Sequence, residues 1–186
     1  MKRTAIIACL VLGIACGKLT LAANDPQATW IDVPYIEQTK EGCGSAAISM
    51  VMQYWAKQKG QSASAEMDAA KIQGALYSPK QQGISASAME KYFQEHGYRT
   101  FVFRGDWDEL QNHLSKGRPL IVSLGPNGAH GPLHYAVAVG VDAARGYVFL
   151  NDPARGKMLR LSREGFQTEW DLGKRWTLLV VPSGEH

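Results

Sequence analysis

The sequence is poor in the features that define several specialised protein classes. Its 186 residues include only three cysteines, and they contain no internal repeat, low-complexity tract or linker. With 45% hydrophobic and 20% charged residues, the composition is that of an ordinary globular protein and excludes disordered, collagenous and disulfide-scaffold chains. No His/Cys cluster has the spacing of a zinc site, so neither a metal nor another cofactor is predicted. The length fits a single domain.

The small excess of positive charge does not indicate a nucleic-acid partner. The formal charge is +3, from 20 basic and 17 acidic residues. Residues 1–22 contain Lys2, Arg3 and Lys18 and no acidic residue, so the remaining chain has 17 residues of each sign. A formally neutral chain has no electrostatic footprint for nucleic acid.

Residues 1–22 are predicted to form a signal peptide. A positively charged pair at positions 2 and 3 precedes an apolar run of 11 residues, and small residues follow at Ala22 and Ala23. The run is too short to cross a bilayer, which requires about 20 residues. We therefore expect export to the periplasm, with cleavage after Ala22 or Ala23. Lipidation of Cys16, which would anchor the protein to a membrane, remains the alternative.

The periodicity predicts helices in the first half of the chain and strands in the second. Helices are expected at 45–57 and 64–76, after a capping box at 87–90, and after the capping residue Asp106. An apolar extended segment is expected at 30–36, and strands at 99–103, 119–124, 134–141, 147–151, 158–161 and 176–181, with a short helix at 163–170. This pattern indicates a single α+β domain.

Cys43 is the only cysteine that remains after the predicted signal peptide. Disulfides are the normal use of cysteine in an oxidising compartment, and a single cysteine cannot form one within the chain. It could be an inert, buried thiol that packs as a small hydrophobe. Its position at the start of the most apolar predicted helix favours the alternative of a reactive nucleophile, because the helix dipole and the free N–H groups stabilise a thiolate.

A cysteine nucleophile needs a proton acceptor and a group that orients it. Among the five histidines, His134 differs from His96, His113, His130 and His186 because it opens an apolar strand. If strands 134–141 and 147–151 form a hairpin, His134 and Asp152 become neighbours at its open end. A hydrogen-bonded core histidine and a turn aspartate before Pro153 remain the structural alternatives.

Three segments in this order resemble the nucleophile region, the histidine strand and the aspartate motif of the C39-type papain-like cysteine peptidases. They are Val33-Pro34-Tyr35-Ile36 with Gln38 and Cys43-Gly44-Ser45-Ala46-Ala47, then His134-Tyr135-Ala136-Val137-Ala138-Val139-Gly140, then Asn151-Asp152-Pro153-Ala154. The resemblance implies an α+β, papain-like fold in which a helical N-terminal half packs on an antiparallel C-terminal sheet. It also implies a division into an entry segment, 23–32, and a C39-like peptidase domain, 33–182.

The resemblance further implies the roles of four residues. Cys43 would be the nucleophile, His134 the general base and then acid, and Asp152 the group that orients its imidazole. Gln38 would donate its side-chain amide to the oxyanion, together with the backbone N–H of Cys43.

Many C39 domains are fused to transporter ATPases and cleave leader peptides after two glycines. This sequence contains no Gly-x-x-x-x-Gly-Lys-Ser/Thr loop and no predicted membrane segment after the leader. We therefore expect hydrolysis of an exported polypeptide outside the cytoplasm, with a secretion-system component as a candidate partner. Two alternatives remain: an acyl transferase of the transpeptidase or transglutaminase kind, and a non-catalytic peptide-binding domain.

Overall fold

The computed structural model describes residues 28–125 and 134–184, which contain five α-helices and seven β-strands. The predicted signal peptide with Cys16 lies outside the described residues, as does His130. The helices are α1 (Cys43–Gln58), α2 (Ala69–Leu76), α3 (Ala86–Glu95), α4 (Trp107–Ser115) and α5 (Arg163–Leu172). The strands are β1 (Thr29–Trp30), β2 (Tyr98–Arg104), β3 (Leu120–Leu124), β4 (His134–Asp142), β5 (Tyr147–Asp152), β6 (Gly156–Ser162) and β7 (Trp176–Pro182).

All seven strands belong to one antiparallel sheet. Its order is β2-β7-β3-β4-β5-β6, and β1 pairs with β4. Helix α1 packs on β4 and β7, and α5 packs on β3, β5 and β6. The predicted α+β class is therefore confirmed. The division into a helical and a stranded half is approximate, since β2 precedes α4 and α5 follows β6 along the chain.

Helix α1 is the most deeply buried helix among the described residues. Its apolar residues join a core cluster with those of β3, β4 and β7, and two aromatic side chains anchor it through their polar atoms. The Tyr54 hydroxyl donates to the carbonyl of Gly117 (2.6 Å), and the Trp55 indole donates to the carbonyl of Val180 (3.0 Å). Buried polar atoms are thereby satisfied. The helix begins at Cys43, two residues before the predicted start.

Three other predicted elements differ from the structure. The single helix expected at 64–76 is broken into a 3₁₀ turn (Ala65–Met67) and α2, because the Asp68 side chain accepts the N–H of Lys71 and caps a new helix. The capping box expected at 87–90 is wrong, since Ser85 caps α3. The extended segment expected at 30–36 pairs only through β1, and Pro34 within it has no N–H to donate.

The β4–β5 hairpin forms as predicted. Asp142 pairs with Tyr147 beside the turn, and Val137 pairs with Asn151 near the open end. The hairpin therefore brings the start of β4 and the end of β5 to one edge of the sheet, where His134 and Asp152 lie.

The junction between α5 and β3 allows a test of how tightly the fold is packed. A Cβ atom added to Gly173, which caps α5, would lie 2.1 Å from the carbonyl oxygen of Ser123 on β3. Since that atom is backbone, we expect Gly173→Ala to lower the free energy of unfolding by about 1–3 kcal/mol. Gly74→Ala is the control, because nothing lies within 4 Å of its added Cβ in α2. This control should gain about 0.5–1 kcal/mol. Urea unfolding measures both, and equal effects would contradict the prediction.

Candidate active site

Cys43 is the first residue of α1 and is partly exposed. The first turn of the helix contains no acidic residue, so the positive end of the helix dipole is not neutralised locally. Behind the thiol, a Cβ atom on Gly44 would lie 3.0 Å from the Cβ of Ile84, so glycine permits this close approach. The position therefore leaves the thiol accessible to a reactant.

His134 contacts Asp152 and lies near Cys43. Its Nε2 lies 2.7 Å from Oδ1 of Asp152. Burial by itself lowers the pKa of His134, but the interactions with Asp152 and Cys43 outweigh it and raise that pKa to about 9. The imidazole is therefore protonated at neutral pH.

Asp152 is fully buried, with no exposed surface. Its Oδ1 accepts the backbone N–H groups of Ala154 (2.9 Å) and Arg155 (3.0 Å) as well as His134. Its Oδ2 accepts from Nε of Arg155 at 2.5 Å. Burial raises the pKa of Asp152, but the hydrogen bonds and charges of His134 and Arg155 prevail and hold it at about 2. The carboxylate is thus ionised throughout the neutral range.

The sequence prediction missed Arg155, which also binds Glu169 on α5. Its Nη1 and Nη2 donate to the two carboxylate oxygens of Glu169 at 3.0 and 2.8 Å. The signal that could have found it is the position of an arginine three residues after Asp152, in a turn. No sequence pattern identifies Glu169 as its partner, 14 residues further along the chain.

Gln38 lies next to the turn that follows Asp152. Its backbone N–H donates to the carbonyl of Pro153 (3.0 Å), and the hydroxyl of Tyr35 donates to the carbonyl of Asp152 (3.3 Å). The side-chain oxygen of Gln38 is buried and has no hydrogen-bond partner among the described residues. The oxyanion role of Gln38 stays a prediction, as do the catalytic roles of the other three residues.

A second feature that the sequence did not reveal is the support of the loop before Cys43. Glu41 has a left-handed backbone conformation (φ 56°). The Tyr77 hydroxyl donates to its carboxylate, and the Gln73 side chain donates to its carbonyl (3.3 Å). Residues at the end of α2 therefore hold this loop from outside.

A groove of about 410 Å³ runs along the sheet beside these residues. Tyr135, which follows His134, and Trp176 form part of its floor, with their rings in edge-to-face contact at 5.5 Å. Ala86 at the start of α3 also lines it. Burial and the nearby Cys43 raise the pKa of Tyr135, so the Tyr135 end of the groove lies near the thiol. Arg104 and Lys174 add positive charge to its lining.

The described residues contain no group of three or more side chains placed to hold a metal ion. Within residues 28–125 and 134–184, no helix is both long and apolar enough to cross a membrane.

Comparison with known proteins agrees with the fold. The chain belongs to the Peptidase_C39 like family, whose model matches residues 30–176. No curated protein is similar enough in sequence to match the chain.

Several solved structures share the fold at low sequence identity. The peptidase domain of Streptococcus ComA, a bi-functional ABC transporter involved in quorum sensing, is 24% identical, with a TM-score of 0.61, over 80% of this chain and 98% of that domain. A double glycine motif protease from an AMS/PCAT transporter, solved with its leader peptide, is 21% identical, with a TM-score of 0.63, over 83% and 95%. A protein from Bacillus anthracis assigned as a C39-like peptidase is 16% identical, with a TM-score of 0.62, over 86% and 100%. These similarities confirm the papain-like fold.

The raised pKa of His134 predicts how the stability of the protein depends on pH. A folded-state pKa of about 9, above the ordinary 6.5, means that the stabilisation is complete below pH 6.5 and is lost as the pH rises through 9. The difference in free energy of unfolding between the wild type and His134→Gln should therefore shrink over this range, by at most about 3 kcal/mol. Urea unfolding at several pH values measures it. A difference that does not change with pH would contradict the electrostatic account of the pair.

Proposed function

We propose that this protein is an exported cysteine peptidase that cleaves a peptide bond in an exported polypeptide. The observation that supports the proposal best is that one residue, His134, interacts both with Cys43 and with the buried Asp152 carboxylate. A nucleophile, a base and a group that orients the base are the three parts that acyl transfer to a cysteine requires.

The proposed reaction proceeds through an acyl-enzyme. The Cys43 thiolate attacks the carbonyl carbon of the scissile peptide bond, and the resulting oxyanion accepts hydrogen bonds from the Gln38 amide and the Cys43 backbone N–H. His134 then donates its proton to the leaving amine, which departs. The neutral imidazole takes a proton from a water molecule, whose oxygen attacks the thioester and releases the acid. Asp152 stays ionised throughout and keeps the imidazole oriented.

The groove beside Cys43 is the proposed binding site for the peptide. Its aromatic floor and its position next to the thiol suit an extended or helical segment that leads into the site. The AMS/PCAT neighbour, solved with a leader peptide, supports a peptide ligand. We propose an exported precursor as the substrate, with cleavage after a double glycine as the first specificity to test, and a secretion-system component as its partner.

We also propose that the protein acts in the periplasm, after removal of residues 1–22 by signal peptidase. Sequencing of the mature N-terminus from fractionated cells tests this step, and a terminus at Ala23 or Asn24 is expected. A lipid-modified N-terminus at Cys16 would instead place the protein at a membrane.

A specific observation favours one further candidate, a non-catalytic peptide-binding domain. The groove is built mainly from residues other than the Cys43–His134–Asp152 group, so it does not depend on catalysis. Binding of a peptide that survives Cys43→Ala, in a protein without turnover, would identify this function. Acyl transfer to an amine uses the same residues, and competition between an added amine and water for the acyl-enzyme distinguishes it from hydrolysis.

The reactivity of Cys43 toward iodoacetamide tests the proposed thiolate–imidazolium pair. We expect a plateau of alkylation rate that extends well below pH 7, because the protonated His134 stabilises the thiolate. His134→Ala should abolish the plateau and leave a single rise near pH 8.5, about where an unpaired thiol ionises. Mass spectrometry of the peptide that contains Cys43 gives the rate at that residue alone. A single rise near that pH in both proteins would overturn the peptidase proposal.

Substitution of Gln38 tests the proposed oxyanion site separately. On the first peptide that the wild type hydrolyses, Gln38→Ala should lower kcat by about 100-fold to 1000-fold, because one oxyanion donor is lost. The alkylation profile of Cys43 should not change, since no tetrahedral oxyanion forms in that reaction. Gln94→Ala, which removes only a surface hydrogen bond to Thr100, is the control. Unchanged kcat in Gln38→Ala would assign the oxyanion donor elsewhere.

A further inference from the structure

Arg155 joins the buried carboxylate of the candidate active site to helix α5. Its Nε donates to Oδ2 of Asp152 at 2.5 Å, and its two terminal nitrogens donate to both carboxylate oxygens of Glu169. The Arg155 side chain is only 27% exposed, and that of Glu169 is 32% exposed. The guanidinium thus uses its two donating edges on two different carboxylates.

Each oxygen of Asp152 has a separate task. Oδ1 accepts from His134 and from two backbone N–H groups, whereas Oδ2 accepts from Arg155 at the opposite side. A carboxylate can rotate about its Cβ–Cγ bond, and rotation would turn Oδ1 away from the imidazole. The Arg155 bond opposes this rotation, because rotation would break a charge-assisted hydrogen bond to a carboxylate that has no exposed surface.

Glu169 in turn restrains Arg155. A bidentate arginine–carboxylate pair fixes the plane of the guanidinium as well as its position. The backbone carbonyl of Glu169 accepts the N–H of Gly125 (2.7 Å), so this part of α5 is itself attached to the end of β3. The orientation of Asp152 therefore depends on a chain of contacts that ends on the core of the sheet.

We propose that Arg155, held by Glu169, is a positioning residue that fixes the rotation of the Asp152 carboxylate so that Oδ1 faces Nε2 of His134. The role rests on the proposed function, because it concerns the histidine that would act as base. It adds two residues to the machinery of the site, neither of which touches the thiol or the substrate.

The charged and titratable groups that act on the imidazole, directly or through a neighbour, come from several elements. Cys43 of α1 and Asp152 of β5 act on His134 itself. Asp152 also interacts with Arg155 of the β5–β6 turn, which binds Glu169 of α5. Glu37 and Asp152 act on Tyr35 of the segment before α1, and Cys43 acts on Tyr135 of β4.

A purely electrostatic role and a positioning role of Arg155 predict different results when Arg155 is substituted. Loss of its positive charge would strengthen the attraction between Asp152 and the protonated His134. Loss of the planar guanidinium, with its several N–H donors, would instead loosen the His134–Asp152 contact.

The test measures the pH profile of Cys43 alkylation in Arg155→Lys, Arg155→Met and Glu169→Gln. Lysine keeps the charge of Arg155 but cannot form the fork. In all three variants, we expect the pH range of the alkylation plateau to shrink by about half a pH unit at its acidic end and at its alkaline end. The reason is that a loosely held His134 pairs less well with the thiolate. A wild-type profile in Arg155→Lys, or a plateau that widens on the alkaline side in Arg155→Met, would overturn the proposal.

Arg175→Lys is the matched control. Arg175 contacts Asp171, also on α5, through its Nε at 2.5 Å, as Arg155 contacts Asp152, but the Asp171 side chain is half exposed. This variant should keep the wild-type profile. Urea unfolding of each variant confirms folding, and if Arg155→Met does not fold, Arg155→Lys and Glu169→Gln still decide the outcome.

A second measurement does not depend on thiol reactivity. The Nε2 proton of His134, shared with Asp152, should give a strongly downfield nitrogen-bound proton resonance in the NMR spectrum, identified by its loss in His134→Ala. In Arg155→Lys and Glu169→Gln this resonance should move upfield or broaden, and an unchanged resonance would refute the positioning role. If the wild type has the resonance but no alkylation plateau, the proposed peptidase function fails while the positioning role is still tested.

Discussion

The buried negative charge of Asp152 is the constraint on which the candidate site depends. Removal of an ionised carboxylate from water costs several kcal/mol unless hydrogen bonds and opposite charges compensate it. Four N–H donors from His134, Ala154 and Arg155 provide this compensation. The hairpin and the turn after it supply all four donors, and α5 holds Arg155 through Glu169.

Cys43 is positioned by helix α1 and by the segment that precedes it. Helix α1 is held by the core and by the bonds of Tyr54 and Trp55 to backbone carbonyls, which determine where its first residue lies. The segment before α1 is bonded to the turn after β5 through the N–H of Gln38 and the hydroxyl of Tyr35. The helix and the hairpin are thus brought together where Cys43 and His134 lie.

The predictions from sequence succeeded where a single local rule dominates. The apolar stripe of α1 predicts a buried helix, and Asp106 caps α4 as expected. The predictions failed where two local signals compete. Asp68 caps a new helix inside a periodic apolar segment, and Ser85 rather than Ser87 caps α3. A capping side chain is worth about 1 kcal/mol, which is enough to move a helix boundary that periodicity leaves undecided.

The sequence by itself determined that one cysteine after the predicted signal peptide heads an apolar helix, and that a hairpin brings His134 and Asp152 together. These two features follow from composition, periodicity and order along the chain. The family followed from the resemblance of three segments. Only the tertiary structure decided that Arg155 binds Glu169 of α5 and that the Tyr77 hydroxyl donates to the Glu41 carboxylate. Such pairs join elements that are distant in sequence. The packing of the helices on the sheet creates the contact, and no periodic pattern in the chain records it.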